Sequence, residues 1–148
     1  MPKRNRVAWG LAAVLAVVGF GRVRVLGREY PPVTRSQRAQ IKRDFRRHLK
    51  QREQVIALAR AGKLKASPYN FHLKRLPARY HHLSDGGEII VEKPKGNTKV
   101  FFFTFRGMLS GSTGFIYAQD DQPRMYEEPR LLRVDRQAPH WYWVVSAD

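Results

Sequence analysis

The stretch "FRGMLSGSTGF", residues 105–115, spaces Gly107, Gly111 and Gly114 in a way that invites comparison with a phosphate-cradling loop. Such a loop needs a lysine followed by Ser or Thr, and a helix whose first N–H groups meet the phosphate. No lysine is present and the residues after Gly114 read as a strand, so the glycines are expected to serve a strand connection or bulge. His72, His81, His82 and Asp85 are residue types that ligate zinc. Adjacent histidines on an extended strand point to opposite faces, and no HExxH spacing occurs, so no metal centre is expected.

A nucleophile drawn from Ser110, Ser112 or Thr113 would need a base within hydrogen-bond reach. His140 is the one histidine after His82, and nothing in the sequence brings it to those hydroxyls. The acidic pairs Asp120-Asp121 and Glu127-Glu128 sit in "AQDDQPRMYEEPR", a polar, proline-bearing stretch that reads as a flexible loop. Absence of cysteine excludes a thiol nucleophile, a thiolate metal site and a disulfide framework. These readings point away from an enzyme, with no cofactor and no small-molecule substrate indicated.

Charge divides the chain. Through Lys65 there are 17 Lys and Arg against 3 acids, a surplus of 14; from Ala66 onward there are 11 against 9, a surplus of 2. The net charge of +16 therefore belongs mostly to the N-terminal part. A near-neutral C-terminal part is a poor partner for a phosphate backbone, so nucleic acid is the weaker expectation.

Residues 1–6 form a basic tail, and residues 7–27 read as a single transmembrane helix. Val7 to Gly21 is uncharged, and extension to about residue 27 supplies the ~20 residues that a bilayer core requires. Ala8, Ala12, Ala16 and Gly19 share one helical face and would admit a second membrane helix. Arg22 and Arg24 would reach the headgroups. The flanking charges tilt the expected orientation only slightly toward an extracytoplasmic C-terminal domain.

After a linker at 28–33 containing Pro31-Pro32, residues 34–62 read as a basic amphipathic helix. Thr34 or Ser36 can cap it, and Gly62 can stop it. Ile41, Phe45, Leu49, Ile56 and Ala59 follow the helical period, with Val55 at the edge. Arg43, Arg46, Arg47 and Lys50 gather on the opposite face, where anionic headgroups could meet them. Arg38 and Arg52 intrude on the apolar stripe, either with stems buried at its margin or paired with a carboxylate of the following domain or of another protein.

Residues 63–148 read as a small antiparallel sheet of four or five strands packed with that helix, giving an α+β fold. "GEIIVEK" and "KVFFFTF" make a hairpin across residues 94–98; "STGFIYA", "RLLRV" and "HWYWVV" follow. Phe101, Phe103 and Phe105 face one way, and Trp141 and Trp143 share a side of the last strand, offering candidate partner surfaces. The expected function is a non-enzymatic, single-pass membrane-anchored module, an accessory or assembly subunit touching both the lipid bilayer and a larger membrane protein complex. The alternative is a polyanion-binding protein, for nucleic acid or anionic lipid, acting through the arginine-rich helix.

Overall fold

The computed structural model describes residues 23–25, 28–30, 33–107, 111–128 and 130–147. The chain divides into two compact units, Met1–Val33 and Thr34–Asp148. In the first unit, β1 (Val23–Val25) and β2 (Arg28–Tyr30) pair antiparallel, with Val23 opposite Tyr30 and Val25 opposite Arg28. This corrects the single-pass membrane placement. The end of the expected span is extended chain, as alternating valine and arginine favour, and among the described residues no helix is long and apolar enough to cross a membrane. Ala8, Ala12, Ala16, Gly19 and Arg22 lie outside the described residues.

In the second unit, α1 runs from Arg35 to Arg60. Its start is a complete capping box: Thr34 Oγ1 accepts from Gln37 N–H at 3.2 Å, while Gln37 Oε1 accepts from Thr34 N–H at 2.8 Å. Ala61 closes the other end, and Gly62 follows at φ 65°, a left-handed turn that glycine takes without steric cost. One face buries Phe45, Arg52, Val55, Ile56 and Ala59, while Ile41 and Leu49 are half-buried at its margin.

The sheet has seven antiparallel strands, not four or five: β3 (Lys65–Ala66), β4 (Leu73–Arg75), β5 (Glu88–Glu92), β6 (Lys99–Arg106), β7 (Ser112–Ala118), β8 (Leu131–Ala138) and β9 (Trp141–Ser146). Their spatial order is β3-β4-β5-β6-β7-β9-β8. The two strands absent from the expectation, β3 and β4, are two and three residues long. Such pieces carry no readable alternation of their own.

Pairing carries each residue type straight across the sheet. Ile89, Phe102, Phe115 and Trp143 form one cross-strand row, and Val91, Val100, Tyr117 and Trp141 the next. Both rows lie on the face that takes α1, where Phe45 meets Phe115 at 5.5 Å and Trp141 at 5.7 Å between ring centroids. Leu73, Ile90, Phe101, Ile116 and Tyr142 form a row on the other face. These last side chains join Phe103, Met125 and Val144 in a second core. The β6–β7 ladder slips between Phe103 and Phe105, and a Cβ at Gly114 would overlap the Phe102 carbonyl, so this glycine is required by close backbone approach.

The second core needs a lid, and the connection between β7 and β8 supplies it. Glu92 and Lys99, opposite one another on β5 and β6, are both buried. The Glu92 carboxylate accepts from the N–H groups of Tyr126 and Glu127 at 2.8 and 2.7 Å. Lys99 Nζ donates to the carbonyls of Gln122 and Arg124 at 2.7 and 2.9 Å and lies 3.3 Å from Asp120. Two buried charges thus fasten a segment whose composition reads as a loose loop, and they set Met125 into the core. At the outer edge, β8 carries Arg133, Asp135 and Arg136 and departs from regular register twice.

Two measurements test this architecture. Phe45→Ala should lower unfolding stability by about 3–5 kcal/mol in urea titrations, because it empties the helix–sheet contact. Burial and the hydrogen bond that Tyr142 donates to Asp121 hold the Tyr142 phenol above its ordinary pKa of 10.0. Folding therefore favours the protonated phenol: stability is complete below pH 10 and falls as pH rises from there through the folded value. Tyr142→Phe should flatten that alkaline decline in Tm measured across pH.

Candidate functional site

Two places on the second unit combine unusual exposure or burial with defined geometry. The first is at the β3–β4 end. Tyr69 and Phe71, in the turn between these strands, are 87% and 72% exposed, and Tyr126 on the fastened connection is 82% exposed. The segments carrying them are tied together. Asn70 Nδ2 donates to Glu127 Oε2 at 3.2 Å, and His72 Nε2 lies 3.6 Å from Glu127 Oε1. Asn70 Oδ1 also accepts from His72 N–H at 2.9 Å, holding the turn. Phe71 leans on the His72 ring at 3.8 Å. Beside these rings is a cavity of about 320 Å³ with Ala59, Leu64, Phe71 and Val91 in its wall and Lys74 and Lys93 at its margin.

The rigidity of the patch has a sequence of causes. Lys93 Nζ donates to the Arg60 carbonyl at 3.0 Å, joining the end of α1 to the β5–β6 turn. Glu92, next in the chain, holds the Tyr126 backbone. Lys63, Lys65 and Lys93 stand exposed around this end, and Lys74 is half-exposed.

The second place is a cleft of about 580 Å³ between α1, the two 3-10 turns Ala78–Leu83 and Asp85–Gly87, and the sheet. Its distinctive member is Arg52, 2% exposed, with its guanidinium 4.4 Å from the Phe115 ring centroid. Nη2 donates to Asp44 Oδ2 at 2.7 Å and Nη1 to the Asp44 carbonyl at 3.4 Å, while Nε–H is buried with no acceptor. The partner is therefore a carboxylate on the same helix, reached because helical side chains tilt toward the N-terminus. Burial pulls the guanidinium pKa below its usual value, against the opposing pull of the Asp44 carboxylate. Asp44 Oδ1 also meets His48 Nδ1 at 2.9 Å, and the His48 ring packs edge-on against His82.

The histidines expected from their types to be possible ligands are engaged separately. His81 Nε2 bonds the Leu76 carbonyl at 2.8 Å, His82 Nε2 bonds Gln51 Oε1 at 2.9 Å, and His72 faces Glu127. Among the described residues no three His, Asp or Glu side chains stand where they could hold a metal ion. Ser112 is buried, and its carbonyl accepts from Ser146 Oγ; Thr113 Oγ1 bonds Thr104 Oγ1 at 2.8 Å; Ser110 lies outside the described residues.

Of the aromatic residues expected to offer a partner surface, Phe101, Phe103, Trp141 and Trp143 are buried in the two cores, and Phe105 alone is exposed, at 52%. Burial on both faces of β6 and β9 keeps those four from forming an exposed partner surface. Arg43, Arg46, Arg47 and Lys50 all lie on the exposed side of α1, as does Arg38. Arg24 is in β1, where only its backbone pairing with Glu29 is described. Tyr69, Phe71 and Tyr126 were not singled out by sequence reasoning. The available signal was large aromatics inside turn-forming "SPYNF" and "PRMYEEP", where no strand or helix period explains them. Comparison with known proteins finds no matching family model, curated protein or solved structure.

Arg52 and Asp44 give a direct energetic test. Asp44→Ala should cost about 3 kcal/mol in unfolding free energy, toward the low end for a buried pair because Asp44 is itself partly solvated. Arg52→Met should recover most of that loss in the Asp44→Ala background, and a double-mutant cycle of urea unfolding measures the coupling.

Proposed function

We propose that the protein is a non-enzymatic docking module that holds a protein partner at the β3–β4 end. The observation that carries this reading is the set of three aromatic side chains, Tyr69, Phe71 and Tyr126, each more than 70% exposed on backbone that buried Glu92 and the Asn70–Glu127 bond hold in place. Exposed rings on a fixed scaffold serve as anchors, since little side-chain or loop freedom remains to be lost on binding. Lys74 and Lys93 line the cavity beside Phe71, and Lys63 and Lys65 are exposed at the start of the same β3–β4 segment. The partner that fits is a protein segment with one or two apolar side chains for the 320 Å³ cavity, flanked by aspartate or glutamate.

A second reading rests on α1. Arg38, Lys42, Arg43, Arg46, Arg47 and Lys50 are exposed along its outer side, and none has an ion-pair partner among the described residues. A face of that density suits a phosphate polyanion.

One experiment separates them. A displayed peptide library selected on the immobilised protein should enrich Leu, Ile or Phe next to Asp or Glu. Affinity for a selected peptide should fall about 30-fold in Phe71→Ala, the loss of one anchor worth about 2 kcal/mol, while Tm is unchanged. Failure to enrich, or binding indifferent to Phe71→Ala, would reject the docking site. Salt-sensitive capture of duplex DNA that survives Phe71→Ala and is lost in Arg46→Ala/Arg47→Ala would move the function to the helix.

A further inference from the structure

The helix–sheet cleft is a separate place from the docking patch, and its chemistry is different. A volume of about 580 Å³ is within the range of small-molecule sites. Its floor is aromatic, from Phe115 and Trp143; Asp44, Arg52 and Asp85 are its charged groups, and Gln40, His81, His82, Ser84 and Thr104 add polar ones. A ligand there is constrained first by charge. Arg52, the permanent cation of the lining, is already matched by Asp44 at 2.7 Å. Asp85 adds a second carboxylate on an exposed turn, its Oδ2 accepting from Arg106 N–H at 3.1 Å. An anion would enter beside two carboxylates. A cation would sit over a buried guanidinium. An uncharged molecule avoids both penalties.

Hydrogen bonding narrows the choice. The guanidinium has two donors that are poorly met: Nε–H has no acceptor, and Nη1 reaches the Asp44 carbonyl only at 3.4 Å. A buried donor left unmet costs about 1–3 kcal/mol, so a site that retains one gains from an incoming acceptor. Asp85 is exposed, and its carboxylate, which accepts from Arg106 N–H through Oδ2, can take a further donor through Oδ1. At the mouth, Gly86 at φ 73° leaves room: a Cβ there would meet only the end of the Arg106 side chain. Gly87 at φ 65° lies so close to the His81 ring that a Cβ would come within 3.0 Å of it. This close fit holds the Ser84–Gly87 turn against the cleft wall.

From these constraints we infer that the cleft binds a flat, uncharged heterocycle of nucleobase type, with an acceptor for the Arg52 guanidinium and N–H donors for Asp85, packed against the aromatic floor. Such rings carry donors and acceptors on one edge and an apolar π face, which suits the unmet Arg52 Nε–H, the exposed Asp85 carboxylate and the aromatic floor.

The test is calorimetric titration of the intact protein with adenosine, guanosine, cytidine and uridine, with benzoate and benzylamine as flat anionic and cationic controls. At least one nucleoside should bind saturably and both controls should not. Asp85→Asn should weaken that binding at least about tenfold, the loss of one charge-assisted hydrogen bond, and Ile41→Trp, which fills the rim from α1, should abolish it. Phe71→Ala, in the docking patch, should leave it unchanged. Absence of saturable binding by all four nucleosides, preferential binding of either control, or nucleoside binding indifferent to both cleft variants would overturn the inference. Because Asp85 and Ile41 lie outside the core, unchanged Tm in both variants distinguishes lost binding from lost folding.

Discussion

The structure depends on the burial of one strand from both sides. In β6, Phe101 and Phe103 point into one core and Phe102 into the other, each at most 3% exposed. A strand of this kind cannot stand at a surface, since each phenylalanine left in water forfeits roughly 1.5–3 kcal/mol. It therefore demands a cover on each face. One is α1, which lays Phe45, Val55 and Ile56 toward the row of Phe102 and Phe115. The other is the connection between β7 and β8, which has too few apolar residues to adhere on its own. It adheres because Glu92 and Lys99, at the same level of the β5–β6 hairpin, take its backbone groups directly.

Both candidate sites follow from these two covers. Where the connection is fastened, Tyr126 is carried beside the β3–β4 turn and the aromatic patch forms on fixed backbone. On the α1 side, the helix's buried stripe contains Arg52 in place of an apolar residue, and a cleft remains over Phe115 and Trp143. Stability and the geometry of the proposed docking patch thus draw on the same contacts: the buried carboxylate that closes the second core also positions an exposed ring.

Much of the scaffold was legible in residue order. The Thr34 cap, the Gly62 stop and the apolar period of α1 are local signals, and they appear where local chemistry puts them. Consecutive phenylalanines marked β6 as a strand with aromatics on both sides, but the row of Phe101, Phe103 and Phe105 read as a partner surface, and two of its three members are buried. The β3 and β4 strands were illegible because their extended form is set by pairing with β5, not by their own composition. The reading of 7–27 as one apolar helix relied on hydropathy alone, which does not distinguish Val23–Val25 in a helix from the same residues in a ladder. Glu92 and Lys99 look like ordinary surface charges in a hairpin, and their burial depends on a segment thirty residues away. Arg52 was visible as an intruder in the stripe; its partner two turns back on the same helix, and the donor left over, were not.

The outer strand β8 bears on how the molecule behaves among its own kind. An open edge eight residues long would ordinarily template the next chain through its free backbone groups. Here Arg133, Asp135 and Arg136, together with two breaks in register, roughen that edge, while the opposite border of the sheet is only two residues long. Neither border of the seven-stranded sheet offers a long, smooth ribbon to a neighbouring chain, so this sheet can be broad without being adhesive.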